Sequence, residues 1–564
     1  MTTQRTWFDR ILGNVAKLHA ARTTRGFFKS IKSATRTQDR LLHEIIARTA
    51  GSRFGREHGY DRIRSYQDFR NQVPIRPYDQ IRTYIDAVRN GDVSALFHPA
   101  EQILMFALTS GTTAEPKYIP VTPRSLEQSR KGWNIWGLRA LLDHKGSILR
   151  HIVQVTSPMN DHQSPAGIPC GAITGLLAAT QKRLVRRFYT SPLAISEITD
   201  PKSKYYTIMR LAIPRDVSWL VTANPATLIL LAKTAHEHHE QMIRDIRDGT
   251  LWSDLAVSDQ IRGAIAPRLA AEPETARRLE EIVSKTGSLY PKDYWRLSFR
   301  AHWTGGTMGL YESQFPRYFG TAPARDIGLL ASEGRMSIPV DDFTATGILA
   351  VGSQFFEFIP ADEYGSASPT VLRSHEVTVG GEYFLVLTNH SGLYRYDMGD
   401  RVKVTGWCHE APMIEFLSRD AHTASMAGEK LTENQVVAAM QRACSDGVPP
   451  PNLFVLSPRF EETPRYRLYL ESSSARSIAG LAGRFDDELC RVSVEYESKR
   501  KTLRLEGVEV VELPNGFLAD RERALRAQRS RTAEQFKHQY LLPRPGLDGE
   551  FDSLRGLPTE AGRG

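Results

Sequence analysis

Cysteine is nearly absent: there are four in 564 residues, at positions 170, 408, 444 and 490. No two sit at the short spacing of a zinc ligand pair or a redox dithiol, which argues against both and leaves reduced, packed thiols. Long apolar runs are missing too. Nothing approaches the roughly 18 apolar residues of a membrane span, and Met1-Thr-Thr-Gln-Arg-Thr-Trp-Phe-Asp-Arg10 lacks the apolar stretch of a signal peptide, so a cytoplasmic enzyme without stable membrane insertion is expected. The pattern G-x-x-x-x-G-K-[ST] does not occur, which disfavours a P-loop ATPase or kinase. Recognition-helix signatures, finger spacing and an alternation of aromatic and basic residues are also lacking. Nucleic acid is therefore set aside although 73 basic residues against 64 acidic ones give a net charge of +9, since a basic surface also attracts nucleotides and carboxylates.

What is present is a globular composition, 41% hydrophobic and 24% charged, over a length that exceeds what one hydrophobic core usually serves. From Arg5 to about Ala50 apolar residues recur at helical spacing (Trp7, Ile11, Val15, Leu18, then Leu41, Leu42, Ile45, Ile46), predicting a helical N-terminal arm with a solvated basic face. Glu101–Leu108 reads as a buried strand that runs into a Ser/Gly/Thr loop, and a long helix follows over 125–142. Further strands are predicted at 218–222, 348–352, 383–387 and 402–404, with a helix over Ala226–Arg247. After Arg419 the pattern turns to helices near 433–443 and 477–498 and strands near 453–455, 466–471 and 507–512. The fold class expected is α/β: a large N-terminal domain, 1–418, of mixed sheets flanked by helices, and a smaller α+β lid domain, 419–564. The cluster His236-Glu-His-His239 reads as a solvated helix face, because adjacent histidines on a helix point apart.

The chemistry concentrates in Leu108-Thr-Ser-Gly-Thr-Thr-Ala-Glu-Pro-Lys117, whose hydroxyls, permissive glycine, backbone N–H groups and lysine suit a polyphosphate. This segment resembles the phosphate loop of adenylate-forming enzymes, and other stretches narrow the likeness to the GH3 family of acyl-acid amido synthetases. Ala331-Ser-Glu-Gly334 is similar to its second motif, and Gly392-Leu-Tyr-Arg-Tyr-Asp-Met-Gly-Asp400 to its third. Phe54–Tyr60, Val73–Tyr78, Phe355–Pro360, Phe485–Arg491 and Leu513–Phe517 extend the resemblance over almost the whole chain.

The resemblance implies an adenylate-forming fold and a reaction in which ATP, with Mg²⁺, activates a small carboxylic acid as its acyl-adenylate before an amino acid or other amine attacks. It implies that Thr109, Ser110, Gly111, Thr112 and Thr113 hold the phosphates with Lys117 nearby, and that Ala331 and Ser332 lie against the AMP phosphate. Glu333 would hold Mg²⁺, Asp400 the ribose hydroxyls, and Lys430 and Lys537 would be the catalytic lysines of the second domain. A rotation of that domain about 418–423, and a monomer or weak homodimer, complete the expectation. The run Ser164–Thr174, Trp133, Trp136, Trp303 and Tyr311 are candidate pocket walls, each of which core packing explains equally. Two rivals stay open: an acyl-CoA synthetase with a thiol acceptor, and a catalytically silent protein that binds nucleotide or acyl acid.

Overall fold

The computed structural model describes residues 7–109, 116–419, 423–444, 451, 453–471, 480–521 and 539–552. Residues Ser110, Gly111, Thr112, Thr113 and Lys537, all singled out by sequence, lie outside the described residues. The chain divides into two compact units, one comprising Met1–Thr109 and Lys117–Ser418, the other built on Arg419–Gly564.

In the large unit the N-terminal arm is two helices, Trp7–Ile31 and Ala34–Thr49. The second presents Leu41, Leu42, Ile45 and Ile46 to the core, as the 3.6-residue period requires. Three larger sheets follow. One is four-stranded and contains the hairpin of Met105–Thr109 with Lys117–Val121, paired antiparallel from Met105 opposite Val121 to Thr109 opposite Lys117. A second is four parallel strands, His151–Gln154, Val217–Val221, Phe299–His302 and Ala324–Asp326. The third has seven strands and carries Phe355–Pro360, Glu382–Thr388 and Tyr396–Cys408 side by side. Helices flank all three, so the mixed α/β layering is as the sequence pattern implied.

Two helices are shorter than their periodicity. The stretch 226–247 is broken into Pro225–Glu237 and His239–Asp248, with His238 turned out of helical geometry (φ −112°, ψ 28°) and its ring against Tyr206 and Trp252. In the second unit Ser493 leaves the helix and caps the next one, so the described part of 477–498 is Leu481–Val492 followed by Val494–Lys501. That unit otherwise contains a three-stranded sheet of Val455–Arg459, Arg465–Glu471 and Glu509–Leu513, with helix Glu433–Ala443 packed on Leu481–Val492. No helix among the described residues is long and apolar enough to cross a membrane.

One buried ion pair ties the large unit together. Arg395, fully enclosed, donates from Nε to both oxygens of Glu357 (3.1 and 2.9 Å) and from Nη1 to the carbonyls of Arg70 and Val73 (3.0 and 2.8 Å). Tyr66 donates its hydroxyl to the same carboxylate at 2.9 Å. Three of the stretches that carry the family resemblance, around Val73, Glu357 and Arg395, thus meet at one clamp, which explains their residue types by packing and not by contact with a ligand.

Candidate active site

The hairpin Met105–Thr109/Lys117–Val121 fixes the two ends of the phosphate-loop segment opposite each other. Beyond it Thr122 caps the helix Pro123–Asp143, accepting from the N–H of Ser125, with Pro123 in the first turn where its missing donor is no loss. The Thr122 hydroxyl donates to the carbonyl of His390 (3.0 Å), which anchors the start of the helix to the turn Asn389-His390-Ser391. Lys117 places its ammonium 3.4 Å from the hydroxyl of Tyr396 and over the ring of Tyr78 at 5.3 Å, at the root of the loop.

The second motif is a tight hairpin: Ala331 pairs with Gly334 and Leu330 with Arg335, leaving Ser332 and Glu333 as the two turn residues. A side chain at 334 would not fit, because a Cβ there would lie 2.4 Å from Gln354 Oε1. Ser332 donates its hydroxyl to the carbonyl of Leu108 at 3.2 Å, which brings this turn to the end of the strand that leads into the phosphate loop. Asn389 donates to the backbone carbonyl of Glu333 at 2.8 Å. The carboxylate of Glu333 is treated differently. It is 2% exposed, and Oε1 has no hydrogen-bond partner among the described residues.

Ser332, Glu333, Gly334 and Arg335 line a narrow cleft together with Ser125, Gln128 and Ser129 of the capped helix and Gln354, Asn389 and His390. Ile173, from the Gly/Pro-rich run flagged in the sequence, completes one wall. Unpaired buried polar atoms gather here: Gln128 Oε1, Glu333 Oε1, Arg335 Nε and Nη1, and His390 Nε2. Native interiors leave few such atoms unpaired, and several around one cleft are what a polar ligand would satisfy. Burial pushes the His390 imidazole below its ordinary value and so keeps it neutral near pH 7. Arg335, also pressed by burial, is pushed down to about 9 against the opposing charge of Asp326.

Asp400 lies on the long strand Tyr396–Cys408, 5% exposed, on the side shared with Met398 and Val402. The register between this strand and Glu382–Thr388 slips here, from Arg401 opposite Phe384 to Asp397 opposite Val386, with Gly399 at φ +69°. Such a bulge re-aims side chains, and a carboxylate on an otherwise apolar strand face is a functional signal. Asp397 accepts from Tyr364 (2.9 Å) and from the N–H of Gly399 (2.9 Å), which holds the bulge.

Trp136, a pocket candidate by sequence, is core: it is 1% exposed and donates to the carbonyl of Asp326 at 2.8 Å. Tyr311 is equally buried, and Trp303 donates to the carbonyl of Gly328 at 2.9 Å. Trp133 instead lies under the guanidinium of Arg335. In the second unit Lys430 stands 3.9 Å from Glu495 with about a quarter of its side chain exposed. Its loop is fixed by the neighbouring Glu429, which is buried and accepts from the N–H groups of Met426 and Ala427 and from Tyr466. Sequence reasoning missed Gln128, Arg335, Asn389 and His390, none of which sits at a spacing that announces a ligand.

A hairpin leading into a capped helix, a turn bearing a buried carboxylate tied to that hairpin, and a second α+β unit make up the fold that the sequence resemblance implied. Sequence comparison agrees. Profiles of the GH3 family match this chain in three pieces: the N-terminal domain over residues 23–324, the central domain over 347–419 and the C-terminal domain over 434–545. The chain belongs to the GH3 family. It is 26% identical over 425 residues to the indole-3-acetic acid-amido synthetase GH3.8 of Oryza sativa subsp. indica, covering 72% of this chain and 70% of that one. It is 25% identical over 433 residues to the jasmonoyl–L-amino acid synthetase JAR4 of Nicotiana attenuata, covering 73% and 74%. The solved structure of the AtGH3.15 acyl acid amido synthetase in complex with 2,4-DB shares the fold at a TM-score of 0.66 and 20% identity, over 94% of both chains.

Proposed function

We propose that this protein is an acyl-acid amido synthetase, which activates a small carboxylic acid with ATP as acyl-AMP and passes the acyl group to an amino acid or other amine, in the cytoplasm. The observation that carries the reading is the buried, unpaired carboxylate oxygen of Glu333 on a turn tied to the strand that enters the phosphate loop. A carboxylate is inert toward amines because its leaving group is poor, and the mixed anhydride with AMP supplies a good one. The transition state gathers negative charge on the phosphates, so donors and cations must be in place beforehand.

Thr109, Ser110, Gly111, Thr112 and Thr113 would receive the phosphates, with Lys117 at the root of the loop, while Ala331 and Ser332 would place the α-phosphate. Asp400 would accept from the ribose hydroxyls. Mg²⁺ fits Glu333, since this hard cation is ordinarily held by one or two carboxylates plus phosphate oxygens, and when bound it would offset charge on the phosphates. Lys430 and Lys537 would act from the second unit, Lys430 from a loop held rigid by Glu429.

The test is acid-dependent pyrophosphate release in a screen of acids, with amino acids or coenzyme A as acceptors. Release that amino acids accelerate is expected; ATP binding without release for any acid would leave only the silent binding protein. Lys430→Ala should slow release about 100-fold at unchanged thermal stability, because a partly exposed pair as long as 3.9 Å contributes little to folding. An unchanged rate would remove Lys430 from the reaction.

A further inference from the structure

Among the described residues Arg335 is the one strong cation in the wall of the cleft, and the fold buries it. It is 4% exposed. Its third nitrogen, Nη2, donates to the carbonyl of Ile327, while Nε and Nη1 have no partner among the described residues. The nearby carboxylate of Asp326 is occupied, accepting from the N–H and hydroxyl of Thr304 (2.6 and 2.8 Å) and from the N–H of Gly328 (2.6 Å), and makes no ion pair with the arginine. The guanidinium is nonetheless held in place. It lies over the ring of Trp133 at 4.9 Å, and its stem crosses the helix Pro123–Asp143 at Gly132, where a Cβ would come within 2.5 Å of Arg335 Cδ. Glycine in a helix interior is a cost to the helix, and here it opens the groove in which the arginine rests.

Resting on the adenylation reading, we propose that Arg335 recognises the acyl substrate, and that this substrate is a small polar acid carrying a second oxygen acceptor besides the carboxylate that reacts. Nε–H and the Nη1 group point from opposite edges of the planar guanidinium, so the two oxygens of one carboxylate cannot satisfy both. Two separate acceptors are required. The rest of the wall agrees: of fourteen lining residues only Val121 and Ile173 have apolar side chains, and five are serines. A purely hydrocarbon or unsubstituted aryl acid would leave the donors of the arginine unpaired, the circumstance in which binding sites reject an analogue most strongly. An acid with a further carboxylate, carbonyl or hydroxyl would satisfy them. The reacting carboxylate is then left to the turn Ser332-Glu333.

The experiment measures binding of matched acids to the full chain by calorimetry, malate and succinate against butyrate and 4-hydroxybenzoate against benzoate, alongside pyrophosphate release. Wild-type protein should prefer the oxygenated member of at least one pair by 100-fold or more. Arg335→Met should erase that preference without lowering the melting temperature, since a buried cation with unpaired donors burdens the fold. Arg335→Lys should keep part of it. Gly132→Ala, which favours the helix but displaces the guanidinium, should weaken binding of the oxygenated acid with the charge still present. Wild-type protein that binds none of the oxygenated acids, or binds both members of each pair equally, or an Arg335→Met variant that keeps the preference, overturns the proposal. Discrimination lost with Arg335 but no pyrophosphate release from wild type would uphold the recognition and defeat the adenylation reading, so the two fail separately.

Discussion

Glu333→Gln is expected to lower acid-dependent pyrophosphate release by about 10²–10³-fold while leaving the protein at least as stable as wild type. The carboxamide has the same shape, and the hydrogen bond that holds this residue, from Asn389, goes to the backbone carbonyl and survives the change. What the substitution removes is a buried carboxylate whose Oε1 has no partner among the described residues. A carboxylate left in that state costs folding energy, so its removal should not lower the melting temperature. Its use must then lie in the reaction, where loss of a cation ligand should appear as a weaker dependence on Mg²⁺ as well as a lower rate. Unchanged pyrophosphate release would separate Glu333 from the chemistry; a large fall in melting temperature would make it a structural residue instead.

Arg395→Met should produce the opposite pattern, a loss of about 3–5 kcal/mol of stability, because it leaves Glu357 charged and enclosed without its cation. The carbonyls of Arg70 and Val73 lose their donor at the same time. Thermal unfolding of the large unit should shift down by about 3–6 °C, because the unfolding entropy of a unit of this size makes each kcal/mol worth roughly 1 °C. Adding Glu357→Gln should recover part of the loss, since the residual charge is then gone. A single mutant that melts with wild type would contradict the clamp.

These two residues mark what the sequence could and could not disclose. The buried strand that ends at Thr109 and the helix near 125–142 were legible because an apolar run and a helical period specify them, and they are observed as Met105–Thr109 and Pro123–Asp143; the strand Lys117–Val121 between them was not read, since only its pairing with Met105–Thr109 defines it. The strand expected at 383–387 was legible for the same reason, as a β-prone run, and is observed as Glu382–Thr388, buried on both faces. Arg395 was not, since it stands within a motif that resembles a nucleotide site yet serves packing, and only the long-range contact with Glu357 distinguishes the two. Arg335 was equally hidden, because an arginine in a sequence is presumed to be at the surface and its burial follows from a glycine two hundred residues away in the chain. The helix break at His238 has no proline or glycine to announce it; it depends on ring contacts with Tyr206 and Trp252. Local order was readable, and tertiary choices among equally plausible roles were not.

The central claim, that an activated acid is handed to an amine, is tested most directly by the mass of the product formed from ATP, an acid that supports pyrophosphate release, and a mixture of amino acids and coenzyme A. The account predicts an acyl-amino acid amide formed with one AMP and one pyrophosphate per turnover, and its disappearance in Glu333→Gln. An acyl thioester as the sole product would contradict it.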